Sequence, residues 1–270
     1  MTRIAGPEAE EIVAVAAEMA DAARVATLRH FRRIGLDAEN KLAQGFDPVT
    51  VADRESEAAM RAVLARRRPQ DGILGEELAG QAGESGLTWV LDPIDGTRSF
   101  LSGAPTWGVL IALSDAQGPL YGLIDQPYIG ERFEGGLGRA SVTGPAGRRV
   151  LAARGPRPLD QAILFTTMPE VGTALETGGF HDLSRRVKLT RYGLDCYAYA
   201  LIASGQIDLV VEAGLHPYDV QAPIAVIEAA GGLVTDWRGG PAHHGGRVLA
   251  AANPAIHAAA LEVLAQVPEG

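Results

Sequence analysis

The chain of 270 residues is long enough for one large domain or two intimately packed halves, and 47% apolar with 21% charged residues is the composition of an ordinary globular protein. A formal net charge of −9 with no long basic run excludes a nucleic-acid backbone as the main partner, and Arg66-Arg67-Arg68 reads instead as a basic helix end. A single cysteine, Cys196, excludes an internal disulfide, Met1-Thr-Arg-Ile lacks a hydrophobic signal core, and no apolar run approaches membrane-spanning length; the expected compartment is the cytoplasm, with no membrane partner.

From Pro7 to about Arg33, apolar residues recur at Ile12, Val15, Ala16, Met19, Ala22, Ala23 and Ala26 as one helical stripe, behind an acidic first turn at Glu8, Glu10 and Glu11. A second helix is expected over Val51–Arg67, with Thr50 as N-cap and Asp53 completing a capping box; Pro69 and Gly72 stop it. Strand-like runs follow at Ile73–Leu74, Thr88–Leu91, Trp107–Ser114, Leu120–Asp125 and Arg132–Glu134, and their succession without long helices predicts an antiparallel sheet. Gly135–Gly155 is the loosest stretch. Beyond about Gly144 the pattern alternates: strand Ile163–Thr167, helix Asp195–Ser204, strand Ile207–Val211, helix Tyr218–Ala230, strands Leu233–Trp237 and Val248–Ala251, and a last helix from Pro254. The expected organisation is a layered α/β–α+β fold. An N-terminal half over 1–143 carries two long helices, the antiparallel sheet and an acidic motif. A C-terminal half over 144–270 completes one continuous functional unit.

The densest chemistry lies in Trp89-Val-Leu-Asp-Pro-Ile-Asp-Gly-Thr-Arg-Ser-Phe100. An apolar strand ends in two carboxylates, Asp92 and Asp95, and Pro93 stiffens the exit so that both return towards one point. Gly96 and Thr97 then offer backbone N–H groups to an anion where a short helix begins. Taken alone, D-x-x-D-G is also an ordinary turn after a strand. Other acids stand at element ends: Asp47 before the second helix, Glu76 after Ile73–Leu74, and Asp219 at a helix start. Each has a plain alternative, namely a turn for Asp47-Pro48, a solvated loop for Glu76-Glu77 and an N-cap for Asp219. Hard divalent cations take such carboxylates together with a carbonyl and substrate phosphate oxygens, whereas the lone Cys196 and scattered histidines offer no zinc spacing. Cys196 reads as a packing residue and His243-His244 as a surface loop.

Gly75-Glu76-Glu77, Asp92-Pro-Ile-Asp-Gly-Thr97, Pro217-Tyr-Asp219 and Glu228-Ala-Ala-Gly-Gly232 together resemble the inositol-monophosphatase-like, metal-dependent phosphatases in order and approximate spacing. The resemblance implies a five-layered αβαβα sandwich, as a homodimer. It further implies metal ligation by Glu76, Asp92, the Ile94 carbonyl and Asp95, with Asp219 closing a second site and Asp47 and Lys41 near a third, weaker one. Magnesium is the implied cofactor, two or three ions with manganese as a substitute. Gly96 and Thr97 would hold the phosphate with Asp95 beside it, and Glu76, Thr97 and Asp47 would serve the attacking water. Two cations about 3.5–4 Å apart suit an in-line displacement, and phosphoryl transfer then needs little covalent help from side chains. Within this family the stretch Arg191–Asp219 and Ser102–Leu113 look most like histidinol-phosphate phosphatases. That likeness sets Asp195 and Glu212 against the substrate beyond its phosphate, with Arg191 contacting substrate or pairing with an acid. Leu194 and His216 depart from the pattern, where a Gly and a Lys are common. The expected activity is hydrolysis of the small phosphorylated metabolite L-histidinol phosphate. The alternatives are an inositol 1-phosphate, other sugar-phosphate or nucleotide phosphatase, and a non-catalytic protein that only binds a phosphorylated ligand.

Overall fold

A computed structural model describes residues 4–35, 38–40 and 48–268. Helix α1 covers Pro7–His30, and a short antiparallel pair, β1 (Ala38–Asn40) and β2 (Pro48–Thr50), leads into α2 (Val51–Arg67). The capping box at the start of α2 forms as the sequence predicts: the Thr50 N–H donates to the Asp53 carboxylate at 2.8 Å and the Ala52 N–H to the Thr50 hydroxyl at 3.1 Å.

Seven strands then form one sheet in chain order: β3 (Gly72–Gly75), β4 (Thr88–Asp95), β5 (Gly108–Asp115), β6 (Gly118–Gln126), β7 (Glu131–Gly136), β8 (Arg139–Gly144) and β9 (Gly147–Val150), with a short helix α3 (Thr97–Ser102) after β4. All neighbours are antiparallel except β3 and β4, which run parallel. The supposedly loose stretch after Gly135 contains β8 and β9, two hairpin strands of glycine, arginine and serine whose polar composition hides their pairing, so the sheet runs on to Val150.

The second sheet has the order β11 (Leu189–Tyr192), β10 (Ile163–Thr166), β12 (Leu209–Leu215), β14 (Gly246–Ala251), β13 (Leu233–Thr235). Around it lie α4 (Ala174–Ser184), α5 (Cys196–Ala203), α6 (Pro217–Ala229) and α7 (Pro254–Leu264). Neither α4 nor β11 has a clear period in the sequence, and both were unanticipated.

The period of two along each strand sorts the core into layers. Trp89, Leu91, Val109, Ile111 and Leu113 face α1 and α2, while Val90, Leu110 and Ala112 face α5 and α6. From the other side Val210, Val248 and Ala250 meet the same two helices, and Leu209, Val211, Leu249 and Ala251 face α4 and α7. Helices, sheet, helices, sheet and helices therefore stack as the five-layered αβαβα sandwich. Because both sheets are covered on both faces, their central strands are apolar throughout rather than alternating. No described helix is long and apolar enough to cross a membrane.

Candidate active site

The acidic motif owes its geometry to one irregularity. In a regular strand residues three apart point to opposite faces, which would separate Asp92 from Asp95. Here Asp92 pairs with Leu110 and Asp95 with Gly108, so β4 carries one more residue than β5 across this interval. That bulge restores the two carboxylates to one side. The Ile94 N–H donates to Asp92 Oδ1 at 3.0 Å and fixes the bend. Asp219, in the first turn of α6, joins them: each of the three offers a carboxylate oxygen within 4.8 Å of the others. Asp219 is not the N-cap of α6, which is His216, but the third helical residue of its capping box, accepting the His216 N–H at 2.6 Å.

Glu76, Ile94, Gly96, Thr97, Arg98 and Asp195 complete the lining of a cavity of about 180 Å³ around this triad. Asp92 is only 1% exposed. Burial, reinforced by the charges of Glu76, Asp95 and Asp219, pushes its carboxyl well above the usual carboxylate range. Asp95 is raised in the same way, by burial and then by Asp195 and Asp219, although the Cys196 N–H at the start of α5 donates to it at 2.6 Å. An all-oxygen cluster this crowded and this buried has the donor set and the negative potential that a hard divalent cation neutralises. It fits the metal that the motif implies, with Glu76, Asp92, Asp95, Asp219 and the Ile94 carbonyl as holders.

Two further residues set this cavity, and the sequence reading missed both as functional. Asp53, 0% exposed and assigned only to the capping box, also faces the site: the Thr97 hydroxyl lies 3.3 Å from Asp53 Oδ1 and 3.1 Å from the Ile94 carbonyl, either of which accepts its proton. Glu57, a turn further along α2, accepts the Glu77 and Leu78 N–H groups at 2.8 and 3.3 Å and is paired with Arg61 at 2.7 Å. It anchors the loop that presents Glu76, and a side chain at Gly75 would overlap its carboxylate. The only sequence signal for either was an acid on the buried face of an amphipathic helix, at a spacing of four. Asp47 and Lys41 lie outside the described residues.

A second cavity of about 260 Å³ shares Asp95, Asp195 and Asp219 with the first and adds Thr167, Glu170, Tyr199 and Glu212. Glu212 on β12 is 7% exposed and accepts the Thr167 N–H and hydroxyl at 2.9 and 2.6 Å and the Tyr199 hydroxyl at 2.7 Å. Burial raises its carboxyl, partly offset by these donors. Asp195 sits at a strained φ of 48° and accepts Ser99 Oγ at 2.5 Å and Thr106 Oγ1 at 3.3 Å, so it braces α3 as well as lining both cavities. Gly96 adopts φ 84°, ψ 44°, and a Cβ there would stand 2.6 Å from the Asp195 carboxyl carbon.

Arg191 does not join this assembly. It lies exposed on the edge strand β11 and lines neither cavity, because the strand ends before the chain turns through Gly193 and Leu194 to reach the site at Asp195. Cys196 is buried at the start of α5 with its thiol pushed up by burial and by Asp95, as a packing residue should be. The Gly80–Gly86 loop is tied to β3, Gln81 exchanging both backbone hydrogen bonds with Ile73 at 2.8 Å, and contributes nothing to either cavity.

A sequence model of the inositol monophosphatase family matches residues 8–269. The chain is 40% identical over 240 residues to the chloroplastic bifunctional phosphatase IMPL2 of Arabidopsis thaliana, covering 88% of this chain and 68% of that protein. It is 34% identical over 246 residues to a histidinol-phosphatase of Streptomyces coelicolor, covering 88% and 91%. Among solved structures, an inositol monophosphatase from Zymomonas mobilis superposes with a TM-score of 0.83 at 37% identity over 95% of this chain and 98% of the other.

Proposed function

The chain belongs to the inositol monophosphatase family and is a phosphoric monoester hydrolase, and from that premise we propose that its substrate is L-histidinol phosphate and its cofactor magnesium. The observation that carries the substrate is the wall of acids beyond the phosphate site. Glu170, Asp195 and Glu212 line the second cavity, whose described lining holds no lysine or arginine; Arg98, on the adjoining cavity, reaches Met168 and acts on Asp195, so the acids outnumber it. An ammonium and an imidazole are served by carboxylates, whereas a polyol uses them only as hydrogen-bond acceptors. The likeness to histidinol-phosphatases supports the same substrate.

Divalent cations held by Glu76, Asp92, Asp95, Asp219 and the Ile94 carbonyl would polarise the phosphoryl group and acidify water. The protein's own groups do the rest. Backbone N–H groups of Gly96 and Thr97 orient the phosphate oxygens. The Thr97 hydroxyl, handing its proton to Asp53, turns a lone pair towards the nucleophile and takes a proton from it. Asp47, to which the resemblance gives a part in serving the attacking water, lies outside the described residues. Asp195 and Glu212 fix the leaving group, so that the ester oxygen is aligned opposite the attacking water. Both halves of the sandwich supply residues and act as one unit, in a cytoplasmic homodimer.

Inositol 1-phosphate is the second reading, favoured by the hydrogen-bonded state of Glu212, whose raised pKa suits a neutral partner. Phosphate release measured with magnesium across histidinol phosphate, inositol 1-phosphate, fructose 1,6-bisphosphate and adenosine 3′,5′-bisphosphate separates the two. Histidinol phosphate is expected to have the highest kcat/KM, and a rank among the poorest overturns the assignment.

A further inference from the structure

A large cavity with apolar walls lies away from the active site. It opens at the opposite end of α6, where the β5–β6 hairpin meets β13 and the loop through His243, and has a volume of about 810 Å³. Asp219 stands in the first turn of α6 and Glu228 in its last, so the two sites are separated by roughly 13 Å of helix at 1.5 Å per residue.

Leu120, Ile224, Val234 and Pro241 give this cavity apolar walls, while Asp115 and Glu228 supply its formal charge and no lysine or arginine lines it. The Glu228 carboxylate makes no hydrogen bond or ion pair with any described residue, and the Asp115 carboxylate is met only by the Gln117 N–H at 2.7 Å. Glu228 stands exposed at the rim of the cavity, and partial burial of its carboxyl against this wall pushes its pKa up. His243 reaches the cavity beside His244, their rings 4.2 Å apart, and its pKa is lowered by burial and then by His244, so at neutral pH it adds no compensating positive charge. The size matches a small-molecule site, and two carboxylates at the rim of apolar walls with no cationic side chain in the lining suit a cation attached to an apolar body.

We propose that this cavity is a second ligand site, remote from catalysis, for a small organic ammonium whose apolar or aromatic body fills the space between Leu120, Ile224 and Val234 while its charge pairs with Glu228. Nucleotides and other polyanions are excluded by the same charge. Binding here stiffens the last turns of the helix whose first turn carries Asp219.

The test uses the whole enzyme with saturating magnesium and inorganic phosphate, so that the acidic active site is occupied. Phenethylammonium, neutral 2-phenylethanol and anionic phenylacetate are titrated while methyl NMR signals of Leu120, Ile224 and Val234 are followed. Phenethylammonium should shift these methyls and bind about tenfold more tightly than the alcohol, with phenylacetate weakest, as one charge-assisted contact implies. Glu228→Gln should remove that tenfold preference, leave the alcohol's affinity unchanged and leave phosphatase kinetics unaltered; Asp115→Asn should weaken the amine in the same direction and guards against a folding defect in the first variant. Equal affinity for the three probes, shifts confined to Val171 and Leu215 at the active site, no shifts at all, or unchanged selectivity in both variants would each overturn the proposal.

Discussion

Substituting Gly96→Ala probes the join between the phosphate loop and the substrate wall. The backbone at φ 84°, ψ 44° is left-handed, which costs an alanine about 1–2 kcal/mol. The added Cβ would also stand 2.6 Å from the Asp195 carboxyl carbon, and Asp195 has nowhere to retreat without giving up Ser99 Oγ, now at 2.5 Å. Losing that bond to a charged acceptor adds about 1.5–3 kcal/mol, so the whole penalty is about 2.5–5 kcal/mol. Urea unfolding of Gly96→Ala, Asp195→Ala and the double variant isolates the contact. With Asp195 shortened the overlap vanishes, so Gly96→Ala should then cost only its backbone share, and the coupling between the positions should be about 2 kcal/mol. An identical cost in both backgrounds would refute the idea that Gly96 is kept for the approach of Asp195 as well as for its dihedral angles.

Asp53→Asn should lower kcat by about a hundredfold or more with KM little changed, because the amide no longer takes the Thr97 proton; a large rise in KM with kcat retained would mark Asp53 as merely structural. Cation binding should couple to pH. Since the folded, cation-free protein holds Asp92 and Asp95 protonated above their unfolded pKa, it binds more protons than the unfolded chain, and its stability falls as pH rises from about 4 through their raised values. Magnesium relieves that repulsion, so the increase in melting temperature it gives should grow between pH 5 and pH 8 in a thermal-shift series; an increment independent of pH would contradict the electrostatic origin.

What could be read from the sequence were features whose signal is local. The α2 capping box, the apolar approach of β4 and the acids at Glu76 and Asp219 each announce themselves within a few residues, and the family likeness joins them. Where a residue does two things, the sequence yields only the nearer one: Asp53 was fully explained by Thr50 three positions away, and nothing in the chain points to Thr97, forty-four positions on. Glu57 was hidden in the same way, its partners Glu77 and Leu78 lying on another element. Arg191 shows the converse: the family likeness offers it as a substrate contact or a partner for an acid, and it lies exposed on β11 outside both cavities. The β8–β9 hairpin and α4 escaped notice because their order comes from neighbours rather than from their own periodicity.

The extra residue between Asp92 and Asp95 makes the acidic cluster depend on the path of the backbone as well as on its side chains. Every substitution at Pro93 or Ile94 that keeps the count leaves both carboxylates on the same side, however poorly it packs. Deleting either residue would leave the acids two apart in a regular strand, still on one face, so the bulge is not needed merely to align them. What the extra residue adds is backbone: it places the Ile94 carbonyl, which accepts the Thr97 hydroxyl, in the lining between the two acids, and a strand without the bulge would present carboxylates alone.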